Sequence, residues 1–217
     1  MDAIADYSSS DTDTDTGESH PESPIPPGPR TGSSSRRRQF PHVDGQFACS
    51  VFIPAPAPPS TALNIPPNFT TIPGDELHLS LSRTVPIVDA QRHSILAELT
   101  KAVKKVTSAR RRAKFDVRIG PQTHLLANDD ASRTFLALAA HDPTKTLSDL
   151  VDATTAVFTR HGLPGYYTEK LMHVSVAWRI GDHRARTPPF DRGRTYTVPV
   201  DRVVCRIGNK DFAIAVS

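Results

Sequence analysis

Two short stretches of this chain repeat one pattern, Leu77-His78-Leu79-Ser80-Leu81 and Met172-His173-Val174-Ser175-Val176. Successive side chains on a strand point to opposite faces, so in each stretch three apolar residues share one face while a histidine and a serine share the other. Strict alternation of this kind specifies a strand that is half buried. A fold that accommodates the chain must therefore seat two such strands on a common core, one in each half, with their polar faces open. A single His-x-Ser triplet carries little information, but two in matching alternating frames do.

The surrounding segments read as an α+β sequence. Residues 46–53 predict a first strand, and 54–67 a proline-punctuated connection outside regular structure. Residues 76–85 predict a second strand. Residues 89–112 carry Ile95, Leu99, Ala102, Val103 and Val106 at helical spacing, with Lys101, Lys104, Lys105 and Arg110, Arg111 and Arg112 on the outer face. Short strands are expected over 114–119 and 133–139. A second helix opens at Thr146, buries Leu147, Leu150, Val151, Val157 and Phe158, and closes at Gly162. Strands over 171–180, 195–200, 203–207 and 212–216 complete the chain, the last two forming a hairpin across Gly208-Asn209-Lys210. This order predicts two similar halves, each presenting one motif strand and one helix.

Residues 1–38, rich in Ser, Asp and Pro and nearly free of apolar side chains, are expected to form a disordered tail before a domain over 39–217. The 26 Lys and Arg against 23 Asp and Glu give a net charge of only +3, but the acidic residues concentrate early. The folded part is thus more basic than the total, which suits a polyanionic partner and equally a solvated basic face. Cys49 and Cys205 lack zinc-ligand spacing and sit in apolar runs, so both are expected as small buried side chains. No apolar run approaches the ~20 residues of a membrane helix, and the N-terminus lacks the order of a secretory signal. The expectation is a soluble intracellular protein with no membrane partner.

The motif residues suit phosphodiester chemistry. Imidazoles with ordinary pKa near 6.5 can be neutral at one position and protonated at another at cellular pH. One can then act as base and the other as acid, while Ser80 and Ser175 donate hydrogen bonds to non-bridging phosphate oxygens. An RNA substrate brings its own nucleophile, the ribose 2′-hydroxyl, so no metal or other cofactor is needed. Among the other histidines, His93, His124, His141, His161 and His183 are expected at surface or capping positions, and Trp178 in the core.

Paired His-x-Ser strands in two similar halves resemble the 2H phosphoesterase superfamily, and more closely its U6 small nuclear RNA phosphodiesterase branch. The likeness includes R-R-Q-F-P-H from Arg37, E-L-H-L-S-L-S-R from Glu76, R-T-F-L-A-L from Arg133, H-V-S-V-A-W from His173 and C-R-I-G-N-K from Cys205. The resemblance implies two pseudo-symmetric lobes, each an antiparallel β-sheet with a helix, about a groove into which both motifs point. It implies a 3′-to-5′ exoribonuclease that trims the oligouridine end of U6 RNA in the nucleus, as part of spliceosomal RNA processing, by transesterification that leaves a 2′,3′-cyclic phosphate. Some family members then open that ring with water. By motif position His173 resembles the general base and His78 the general acid. Tyr167, which on its own reads as a packing or surface residue, occupies the place of a family tyrosine that stacks on uracil. The expected partner is RNA, with no DNA, and a monomer is the default. Two other readings stay open: a 2′,3′-cyclic nucleotide phosphodiesterase on the same fold, and a non-catalytic RNA-binding module.

Overall fold

The computed structural model describes residues 43–59, 65–109, 114–184 and 195–216. The expected tail, the domain start near Phe40 and the arginines at 110–112 lie outside these residues. Ten strands form one antiparallel sheet: β1 (Gln46–Pro54), β2 (Thr70–Thr71), β3 (His78–Ser80), β4 (Val85–Val88), β5 (Phe115–Ala127), β6 (Arg133–His141), β7 (His173–Ile180), β8 (Tyr196–Val200), β9 (Arg202–Ile207) and β10 (Lys210–Ala215). Helix α1 (Arg92–Ser108) follows β4, and α2 (Thr146–Arg160) follows β6.

The strand order β10-β9-β1-β3-β7-β6-β5-β8 places the two motif strands side by side at the centre, with three further strands on each flank. One half is β10, β9, β1 and β3; the other is β7, β6, β5 and β8. Short strand β4 pairs with β1, and β2 with β7. The sheet is thus continuous through both halves, joined at the motifs themselves. The last two strands return to the first half, a crossover that local periodicity does not encode.

Both helices cover one face of this sheet. Helix α1 buries Ile95, Leu99, Val103 and Thr107, four apart, and leaves Lys101, Lys104 and Lys105 exposed. Helix α2 buries Leu147, Leu150, Val151, Thr154, Val157 and Phe158. The backbone amide of Ser148 donates to Asp142 Oδ2 at 2.9 Å in its first turn, and Gly162 at φ +71° follows its end. These side chains meet Cys49, Val51, Ile53, Leu79, Leu81, Val174, Val176 and Cys205 in a single core. Each fully buried Leu, Ile or Val contributes about 1.5–3 kcal/mol relative to exposure, so the helix-covered face carries the stability and frees the other for chemistry. Both cysteines are buried there as expected.

Several boundaries differ from the sequence expectation, for local reasons. The strand expected over 76–85 is broken into a 3-10 turn at Gly74–Glu76, then β3, then β4. The amides of Leu81 and Ser82 both donate to Val51 O, and the Val51 amide donates to the Ser82 hydroxyl at 2.8 Å. A side chain has taken a place in the ladder, which ends β3 there. Strand β5 runs eight residues past the expected end. Gly120, at φ +82°, lies inside a register shift between Ile119 and Thr123, so the Gly-Pro pair makes a bulge rather than a stop. The expected helix start at Asp89 is a 3-10 turn, Asp89–Gln91, and α1 begins at Arg92.

Candidate active site

Leu79 pairs with Val174 across the β3–β7 junction. Extending that antiparallel register by one residue sets His78 opposite Ser175 and Ser80 opposite His173. Leu77, Leu79, Leu81, Val174 and Val176 are all buried on the helix side. The four polar side chains therefore stand together on the open face, each histidine next to the serine of the other motif.

The two histidines are held in the same way. His78 Nδ1 lies 2.7 Å from Glu76 O, and His173 Nδ1 lies 2.7 Å from Leu171 O. A carbonyl oxygen only accepts, so Nδ1 carries a proton in each ring and donates to the backbone two residues upstream. The reactive nitrogen is then Nε2 in both, able to take a proton when neutral or give one when charged. Burial pushes the His173 pKa below the ordinary imidazole value. The Leu171 carbonyl opposes this, and the neighbouring imidazoles of His78 and His124 add to it. His173 is thus biased toward the neutral form.

The surroundings of the two histidines differ. On the β1 side, Phe52 lies opposite Ser80, and its ring packs on His78 with centroids 5.1 Å apart. The guanidinium of Arg206 lies 5.0 Å above the Phe52 ring and is bound to Asp211 at 2.6 and 2.7 Å. On the β6 side, Ala137 lies opposite Ser175 and Ala139 opposite His173. Both alanines are buried, and they present methyl groups where the other flank carries a phenyl ring.

Tyr167 sits in a neighbouring cluster. Its ring is 44% exposed, meets Tyr166 edge-on at 5.4 Å, and carries the Arg83 guanidinium 4.9 Å from its centroid. Arg83 is in turn paired with Asp129 at 2.5 Å. Partial burial, together with the Asp129 carboxylate, raises the Tyr167 pKa.

Sequence reasoning missed two features of this face. Trp178, expected in the core, is only half buried and stands on the open side opposite Phe135, because a bulge between β6 and β7 at Leu136/Ala137 shifts the alternation after Ser175. Arg133 lies 4.5 Å above its ring. His124, expected at a surface or capping position, lies on β5 opposite Ala137, in one row with Ser175 and His78. The strand that carries it was hidden by Gly120-Pro121, which reads as a stop; in the structure Thr123 is buried and His124 half buried, continuing the alternation of Val117 and Arg118.

Elsewhere, a cavity of about 1310 Å³ lies beside the helices, lined by Lys101, Lys105, Lys114 and Arg160 among others and by no motif residue. Among the described residues no group of three or more His, Cys, Asp or Glu side chains is placed to hold a metal ion. No described helix is long and apolar enough to cross a membrane.

Comparison with known proteins agrees with this architecture. A Homo sapiens protein named U6 snRNA phosphodiesterase 1 is 26% identical over 205 residues, covering 85% of this chain and 75% of its own length. Its namesake from Drosophila melanogaster is 25% identical over 194 residues, covering 82% and 72%. The solved structure of Kluyveromyces marxianus Usb1 superposes with a TM-score of 0.56 at 14% identity, covering 77% of this chain and 97% of that one. A structure of the Thermus thermophilus protein TT0787 gives 0.51 at 15% identity, covering 77% and 97%. The fold is the 2H phosphoesterase fold expected from the paired motifs. Residues 61–215 match the family model HVSL, described as an uncharacterised conserved protein. That span takes in both motif strands and most of the sheet, and the chain belongs to the HVSL family.

Proposed function

We propose that this protein is a phosphodiesterase that trims the oligouridine 3′ end of U6 small nuclear RNA, one nucleotide at a time in the 3′-to-5′ direction, by metal-independent transesterification in the nucleus. The observation that carries the reading is the matched pair of histidines. Each donates from Nδ1 to its own backbone, so that Nε2 is the nitrogen that moves a proton beside the other motif's serine. The names of the relatives supply the RNA.

In this reading His173, biased neutral by burial, takes the proton of the penultimate 2′-hydroxyl. The 2′-oxygen forms a bond to the scissile phosphorus as the bond from phosphorus to the 5′-oxygen of the last nucleotide breaks. His78, starting protonated, gives its Nε2 proton to that departing oxygen. Ser80 and Ser175 donate to the two non-bridging oxygens, where negative charge builds. From an end with a free 3′-hydroxyl the products are an RNA shortened by one nucleotide with a 2′,3′-cyclic phosphate and a nucleoside with a free 5′-hydroxyl; each later turnover releases a nucleoside 2′,3′-cyclic phosphate with a free 5′-hydroxyl. Trimming of the spliceosomal RNA places the protein in splicing.

The test is incubation in EDTA with a 5′-labelled oligouridine and with a twin whose penultimate sugar is 2′-deoxy. Stepwise shortening of the first alone is expected. Cutting of both, or of neither until metal is added, would overturn the reading.

A further inference from the structure

The row of residues that crosses the open face does not end at the two motifs. From β3 to β5 it runs His78, Ser175, Ala137, His124, each directly opposite the next. At roughly 4.8 Å per strand, His124 stands about 10 Å from Ser175 with only a methyl group between them. One phosphate cannot span that distance, but a neighbouring phosphate of the same strand can occupy its far end.

The two flanks of the site are not equivalent as exits for an RNA. Toward β1 the face is closed by the Phe52 ring, with Arg206 stacked on it and held by Asp211. Toward β6 the floor is Ala137 and Ala139, and beyond it lies the second half of β5. Strand β8 pairs only with Phe115–Ile119, so residues 123–127 have β6 on one edge and no strand on the other among the described residues. The small side chains and the uncovered edge lie on the His124 side. On an end with a free 3′-hydroxyl there is no phosphate on the 3′ side of the scissile one, so the next phosphate is the one on the 5′ side.

Resting on the trimming reading above, we propose that His124 is a substrate-binding residue that contacts the RNA phosphate immediately 5′ of the scissile one and so sets the path of the chain across β6 and β5. Its influence on His173 is consistent with a shared site. The charged and titratable groups on this face of β5, β6 and β7 are Asp116, Arg118, His124, Arg133, His141 and His173, with only one carboxylate, at the start of β5. An anion laid along the row meets two arginines and three imidazoles against that one carboxylate.

The measurement is binding of a pentauridine with a penultimate 2′-deoxy sugar, which the proposed chemistry leaves intact, to the full chain and to its His124→Ala and His124→Lys variants over a range of salt. Loss of one phosphate contact should raise the Kd of His124→Ala about three- to fivefold and reduce the salt slope by about 0.7. His124→Lys, which supplies a cation at the same position, should restore both. For a dinucleotide, which has only the scissile phosphate, the loss should be smaller. An unchanged Kd and slope in His124→Ala, or an equal loss for dinucleotide and pentamer, would overturn the assignment. Failure of the wild type to cut an all-ribose oligouridine in EDTA would instead overturn the reaction, and is read from a different assay.

Discussion

Leu79 of β3 faces Val174 of β7, and both side chains are fully buried. This one register pair is what sets His78 against Ser175 and Ser80 against His173. Because side chains alternate along a strand, a slip of one residue would turn one motif's polar pair into the core while the other stayed on the open face. The reactive groups are held crosswise by residues that do not reach the open face.

Replacing Leu79 with alanine therefore tests both stability and alignment. A fully buried Leu→Ala change costs about 2–5 kcal/mol, and here it loosens the strand between His78 and Ser80. Urea unfolding should show a lower midpoint, and kcat for oligouridine should fall while KM changes little. A variant as stable and as active as the wild type would refute the dependence of the site on this pair.

The serines are expected to act in the transition state rather than in binding. Ser80→Ala and Ser175→Ala each remove one donor to a developing charge, a loss of about 100- to 1000-fold in kcat. The double variant should lose less than the product of the two, since both hydroxyls serve one phosphate. Steady-state kinetics on one oligouridine decides this: a rise in KM at constant kcat would make the serines ground-state binders.

The pH profile should be asymmetric in origin. His173 works as a base only when neutral, and burial puts its pKa below the ordinary value near 6.5. The acid limb of kcat/KM should therefore fall below pH 6.5, with activity retained above it. The His124 imidazole lowers that pKa, so His124→Ala should move the limb toward higher pH; the movement should be modest because burial is the larger cause. The same depression makes the folded state bind fewer protons than the unfolded chain below about pH 6.5, so this group's contribution to stability is present above that value and is lost as pH falls. An acid limb above 6.5 in the wild type would contradict the assignment of His173 as base.

The sequence displayed the motifs, both helices and nearly every strand because each rests on a local period: two for Leu77 to Leu81 and Met172 to Val176, between three and four for Ile95 to Val103. What it concealed depends on partners distant in the chain. Nothing near Val203 or Phe212 indicates that β9 returns to pair with β1, with β10 on its outer edge. Ser82 reads as one more strand residue until Val51 is known to donate to it. Trp178 was misplaced because the register between β6 and β7 shifts by one residue at Leu136/Ala137, which resets the alternation behind Ser175, and a bulge is a property of two strands together. At Gly120 the register of β5 against β6 shifts by two, so the alternation runs on unchanged to His124, and what the Gly-Pro pair hid was only the continuation of the strand.

Tyr167 offers the remaining handle on substrate choice. The Arg83 guanidinium, which Asp129 holds in place, stacks on its ring, and the residue is still 44% exposed. A ring braced by a cation and still partly exposed suits a platform for a single unpaired base. Such stacking contributes about 1–3 kcal/mol per base, so Tyr167→Ala should raise KM for oligouridine roughly 5- to 150-fold with a smaller effect on kcat. Tyr167→Phe keeps the ring and should remain close to the wild type. Arg83→Ala should fall between them, since it frees the ring to move without removing it. Should Tyr167→Phe prove as damaging as Tyr167→Ala, the hydroxyl and its partner Asp129 would be the operative contact, and the ring would not be the platform.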